Sequence, residues 1–134
     1  MIFGIHFAVT WAMIGAVWFV LVVHYPAFQF FSKDQFSEFE KFHIRRTLAW
    51  ACPVMLVEAA TAVILAFQGG LLIVNAFLLA LIWIMTFTGC FPRHVCLKKG
   101  FSPGIFHGLM RLHAMRVGLW TVRGILLFLV KIPN

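Results

Sequence analysis

The stretch "HAMRVGLWTVRGILLFLV", residues 113–130, sets two guanidinium groups in a run otherwise apolar enough to cross a membrane. An arginine near mid-bilayer costs at least about 2.5 kcal/mol on insertion scales, so Arg123 needs a partner. At about 100° per residue, His113, Arg116, Trp120 and Arg123 fall within an arc of roughly 80° on one helix face. Lipid cannot solvate that face, which must therefore point at other helices. Guanidinium groups offer bidentate donors to carboxylates and phosphates. Arg116 is close enough to the start of the run to snorkel, and alone there it would hold a lipid headgroup. Glu58 is the only acidic residue inside an apolar run and is the expected partner of Arg123. A matched pair locks two helices together, and an intramembrane charge also marks a functional site.

Histidines are the second group with usable chemistry, as axial haem ligands or metal ligands. His6 and His24 stand eighteen positions apart in the first apolar run, about 27 Å along a helix, so one haem cannot be held by both. The segment "CFPRHVC" holds Cys90, His94 and Cys96, but their spacing fits no zinc pattern and leaves a ligand missing, so no metal site is expected. There is no glycine-rich phosphate loop and no CxxC pair. Cys52, Cys90 and Cys96 are odd in number, and no disulfide framework follows.

The elements that must position these groups are apolar helices. The chain has 134 residues, of which 63% are hydrophobic, with four acidic side chains against eleven lysines and arginines. A membrane-spanning helix needs about 20 mostly apolar residues, and four stretches qualify: residues 2–24, 47–67, 71–90 and 113–130. The expected fold is all-α, a single integral membrane four-helix bundle with no soluble domain. The first run lacks a basic flank and a small-residue cleavage site, so it is read as a retained helix rather than a signal peptide.

A formal charge of +7 suggests nucleic acid, but the positive residues are confined to two loops and adjoining helix ends. Lys33, Lys41, Arg45 and Arg46 follow the first span, and Arg93, Lys98, Lys99, Arg111 and Arg116 surround the third connection, whereas the "QGG" link has none. The positive-inside rule then makes loops one and three cytoplasmic, with both termini outside, against which only Lys131 speaks. His24, His43, His94, His107 and His113 come to the inner side and His6 to the outer. "SKDQFSEFEKFHIRR" begins with a capping serine and repeats phenylalanine at spacing three, which predicts an interfacial helix over about 33–45.

Tyr25-Pro26 and Phe91-Pro92 each close an odd-numbered span, and Phe42-His43 and Phe106-His107 each precede an even-numbered one, at offsets of 66 and 64 residues. Glu58 and Arg123 are offset by 65. These parallels point to a two-fold internal repeat about an axis along the membrane normal, with the two charges at nearly equal depth.

"IHFAVTWAMIGAVWFVLVVHYPAF" followed by "RRTLAWACPVML" carries two resemblances. Nearly the whole chain resembles a group of short, functionally unassigned bacterial four-helix membrane proteins with an "HYP" ending, an "H..R" start to helix two, a "P.ML.E" segment and a "W..R" fourth helix. That likeness implies the same fold and a place in the bacterial inner (plasma) membrane. The first half is also similar to the haem-dependent bacterial protoporphyrinogen oxidase. This implies His6 as the haem-ligating histidine of helix one and sets Arg45, Arg46 and Pro53 at the start of helix two. The third span here has no histidine and the fourth no "NE.P", so a second axial ligand would come from elsewhere.

Three functions compete. One is a redox protein that binds haem, quinone or another anionic cofactor; the site residues are His24, His113, Arg116, Arg123, Glu58 and His6, with the cofactor expected in the inner half between helices one and four, at His24 and His113. Another is a non-catalytic accessory subunit of a larger membrane complex. The third is an oligomeric small-molecule carrier with Glu58 and Arg123 along its path. The partners are the bilayer and other membrane subunits or further copies of the chain, not nucleic acid.

Overall fold

The structure, a computed structural model, describes residues 1–130, without the side chains of Lys33 and Asp34; Lys131 lies outside the described residues. Four helices run α1 (Ile2–Phe30), α2 (Lys33–Ala66), α3 (Leu71–Leu97) and α4 (Pro103–Leu129). Each is long and apolar enough to cross a membrane, and among the described residues there is no strand. α1 packs on α2 and α4, and α3 packs on the same two, so the helices stand in a square in chain order. This is the expected four-helix bundle of a multi-pass membrane protein.

The connections differ from expectation. The loops read as some twenty residues long are short turns around Phe31–Ser32 and 98–102, because the flanking sequences continue the spanning helices. The interfacial segment 33–45 and the span 47–67 form one helix, capped at Ser32, whose side chain accepts the Gln35 N–H at 3.4 Å. The reason is a single buried stripe: Phe36, Glu40, His43, Ala51, Met55, Glu58, Ala62 and Leu65 recur at helical spacing along its full length. A helix with one continuous inward stripe has no cause to bend out into the interface. Residues 113–130 are likewise the second part of α4, whose inward face already begins at Phe106 and Leu109.

Pro26 and Pro92 lack the N–H that would bond the preceding turn. In both places the helix widens to a π turn just before the proline, over Val20–His24 and over Thr86–Cys90. The 66-residue offset seen in sequence thus joins two segments with the same backbone irregularity. At the other end Gly69 and Gly70 carry φ of 81° and 59°, conformations that L side chains resist, and so close the link between α2 and α3.

Leu65, Leu72 and Leu127 pack beneath that link with Phe3 and Phe7, at what we term the terminal end. Tyr25, Phe28, Phe36, Leu97, Phe106 and Leu109 pack beneath the other two turns, at the loop end. Met13, Ile14, Met55, Ile82, Val117 and Trp120 fill the middle. The outer faces carry Leu56, Val63, Phe77, Ile84 and Phe128, all exposed. A surface this apolar suits lipid, while the interior holds the polar side chains.

Candidate functional site

Two layers of buried polar groups lie within the bundle. In the terminal layer Arg123 and Glu58 meet at 2.6 Å, Nη1 to Oε1, and both side chains are fully buried, 0% exposed. The expected pair is therefore formed. Trp120 Nε1 also donates to Glu58, at 3.1 Å to Oε1 and 3.3 Å to Oε2. Asn75 completes the arrangement from α3: its Oδ1 accepts from Arg123 Nε at 3.2 Å and Nη2 at 3.0 Å, and its Nδ2 donates to the Arg123 carbonyl at 3.1 Å. Arg123 Nε also reaches the Asn75 carbonyl at 3.2 Å. A guanidinium in a low-dielectric interior needs both a counter-charge and acceptors for its remaining N–H groups, and here it has both.

His6 joins this layer. Its Nδ1 lies 2.8 Å from Thr61 Oγ1 and its Nε2 lies 3.3 Å from Asn75 Oδ1. Both ring nitrogens are occupied and the ring is buried, so His6 offers no free lone pair to a haem iron. Thr61 and Asn75 were not singled out from sequence. Asn75 could have been, as the lone amide in an apolar span.

The loop layer is assembled where the two π turns and the long α2 converge. His24 Nε2 and His43 Nδ1 are 2.7 Å apart, and Thr47 Oγ1 lies 3.3 Å from the same His43 nitrogen. Tyr25 Oη lies 2.8 Å from His94 Nε2, and the other nitrogen of His94 bonds Glu40 Oε1. His113 Nε2 donates to the Val17 carbonyl at 3.0 Å, which leaves Nδ1 to accept from Arg116 Nη1 at 3.3 Å. The Tyr25 and His113 rings lie 4.8 Å apart, and those of His43 and His94 5.1 Å. Arg116 does not snorkel; it is buried with its guanidinium 5.2 Å from the centre of the Trp120 ring.

Four of the five histidines assigned to this end gather there, and His107 is exposed instead. His24 bonds His43, whereas His113 meets Tyr25, so the two do not form the joint contact expected between helices one and four. Cys96 is exposed and stands apart from buried Cys90. Among the described residues no group of histidine, cysteine and carboxylate side chains has the arrangement of a metal site. In this layer Glu40 and Tyr25 are the residues whose part sequence reasoning missed.

A cleft of about 130 Å³ opens on this layer. Tyr25, His43, His94, His113 and Arg116 form its polar end, and Met13, Trp50, Met55 and Phe91 its apolar walls. Leu48, Trp50, Cys52 and Phe91 on its rim are exposed on the lipid-facing surface. Pro53 stands in α2 among the residues that line the cleft and cannot donate to the Ala49 carbonyl. A second groove, between α1 and α2, shares His43, Thr47 and Trp50 with the first and adds His24, Phe39 and Arg46. One buried polar atom of the cleft lining, Arg116 Nε, has no partner, and neither has Glu40 Oε2, which lies behind His94.

The chain matches no protein-family model, no curated protein and no solved structure.

Proposed function

We propose that the chain is a multi-pass protein of a bacterial plasma membrane that takes an isoprenoid quinone from the bilayer into the loop-layer cleft, in a redox role, with the loop end cytoplasmic and both termini outside. The observation that carries this reading is Arg116, 8% exposed, which keeps an unpartnered N–H at the polar end of a cleft whose rim faces lipid. A buried donor left unsatisfied costs about 1–3 kcal/mol, and a ligand with a carbonyl acceptor removes that cost. Quinones carry such carbonyls on a flat ring with an apolar tail. A closed cavity of about 150 Å³ accommodates benzene; this cleft of about 130 Å³ is open at its rim and adjoins the groove of about 310 Å³ that shares His43, Thr47 and Trp50 with it, which together offer room for a ring and its tail. His6, with both ring nitrogens bonded inside the terminal layer, does not fit the role of a haem ligand. Lys98, Lys99, Arg111, Arg45 and Arg46 at the loop end support the orientation.

Decylubiquinone added to the purified protein should quench tryptophan fluorescence saturably, and Trp50→Phe should remove most of that signal. Arg116→Gln should weaken binding by about 10- to 150-fold, the value of about 1.5–3 kcal/mol for a hydrogen bond to a charged donor. Absence of saturable quenching, or equal affinity in a folded Arg116→Gln variant, overturns the reading and leaves the accessory-subunit role ahead.

A further inference from the structure

Glu40 is 0% exposed and has one carboxylate oxygen on His94 and the other on nothing. It stands seven positions into α2, about 10 Å along the axis from the helix start. The neighbouring turn is tied down beside it, since Ser37 Oγ donates to the Lys98 carbonyl at 2.6 Å. From Glu40 the hydrogen bonds run inward to one nitrogen of His94, and from its other nitrogen at 2.8 Å to the Tyr25 hydroxyl, which lies in the wall of the cleft. Carboxyl, imidazole and phenol are supplied by α2, α3 and α1 respectively. Nothing in the packing of the bundle requires this series: Glu40 has no cationic residue bonded to it, unlike Glu58.

We propose that Glu40, His94 and Tyr25 form a proton relay to the headgroup held in the cleft, with buried Glu40 as its proton store. The proposal rests on the quinone reading above. With Glu40 protonated, its O–H points at Nδ1 of His94, Nε2–H points at the Tyr25 oxygen, and the Tyr25 O–H points at the quinone carbonyl. When the quinone gains an electron from an external donor of the flavin or iron–sulfur class, the Tyr25 proton passes to the quinone oxygen. The His94 Nε2 proton passes to the phenol oxygen, and the Glu40 proton passes to Nδ1. Each O–H or N–H bond broken is replaced by one formed, and the single net change is a carboxylate at Glu40 and a proton on the ligand. Reprotonation at the buried, unpartnered Oε2 requires water to enter from the loop end between turnovers, and rotation of the carboxyl and hydroxyl with tautomer exchange of the imidazole then resets the series. Two electrons and two passages convert quinone to quinol.

The groups that face this series are His24 from α1, His43 from α2, Cys90 from α3, and His113 and Arg116 from α4. Arg116 and His113 contact the ligand end rather than Glu40, which leaves Glu40 as the carboxyl that must answer when a proton leaves.

The test is electrochemical reduction of decylubiquinone bound to the full-length protein in lipid nanodiscs, followed by infrared difference spectroscopy. Reduction should bleach a protonated-carboxyl band, as Glu40 gives up its proton; the bleach shifts in deuterated water and is absent from Glu40→Gln, while exposed Glu38→Gln retains it. Tyr25→Phe, which keeps the ring and removes only the hydroxyl, should bind the quinone, lose the band, and slow quinol formation by at least about tenfold. A band unchanged in Glu40→Gln or Tyr25→Phe, with quinone still bound, overturns the relay and leaves the binding site standing. Failure of the wild-type protein to bind decylubiquinone overturns the site and the relay together.

Discussion

Replacing Glu58 by glutamine leaves the Arg123 guanidinium, 0% exposed, without a counter-charge. The substitution is nearly isosteric and keeps an amide oxygen for Trp120 Nε1, and Arg123 keeps its three contacts with Asn75 acceptors. What is lost is the charge of the 2.6 Å pair itself. Breaking a buried pair from one side costs about 3–5 kcal/mol, or about 150- to 5,000-fold in the folding equilibrium at 1.36 kcal/mol per decade. Arg123→Gln should sit at the upper end of that range, because it leaves a carboxylate with only the indole N–H of Trp120. The double substitution restores neutrality and should recover about 2–3 kcal/mol relative to the sum of the single losses, the upper part of measured coupling energies. The assay is a double-mutant cycle on reversible unfolding in bicelles, read by steric trapping. Additive losses, or single losses under about 0.5 kcal/mol, refute the reasoning that this pair holds α2 to α4.

Cysteines placed singly at residues 69 and 98, in a background without the native cysteines, should report the orientation: an impermeant reagent applied to intact cells should modify only the first, and the reverse pattern would invert the topology. Gly124 lies where α4 meets α1, and a Cβ there would stand 2.5 Å from Ile14 Cδ1 and 3.2 Å from the Trp11 ring. Gly124→Ala should therefore destabilise by about 1–3 kcal/mol through overpacking, and Ile14→Val, which removes the nearest atom, should relieve part of it; losses that simply add would show that α1 shifts as a unit instead.

The terminal layer was legible because its central members announce themselves. A carboxylate and a guanidinium in otherwise apolar runs must find each other, and their matching offsets from the loop end set their depth. The loop layer was half legible. Four of its five expected histidines do gather at one end of the bundle, but Glu40 sits between Glu38 and Lys41, which form an exposed 2.6 Å pair of the kind found on solvated faces. In that company it reads as one more surface charge. The signal that distinguishes it is periodic: Glu40 and His43 continue the spacing of Ala51, Met55 and Glu58, so a helix drawn through all five buries them together. Tyr25 was hidden by its neighbour, since "HYP" draws attention to the histidine and the proline, and only the π turn before it aims the phenol at His94.

The two layers differ in how their central groups are satisfied, and the roles proposed for them follow that difference. Each guanidinium nitrogen of Arg123 has an acceptor and the central carboxylate takes both a guanidinium and an indole N–H, which is what a structural lock requires. Around Tyr25 the groups are as deeply buried, yet Arg116 keeps a free N–H and Glu40 a free oxygen, beside a cleft that reaches the lipid surface. Buried polar atoms are costly to leave unpaired in any protein, and each extra one in a helix bundle of this size subtracts from a small total. Trp120 joins the layers, with its N–H on Glu58 and its ring face under Arg116. The satisfied layer thereby holds rigid the wall against which the unsatisfied one would receive its ligand. A chain selected only for packing would close the second layer as it closed the first.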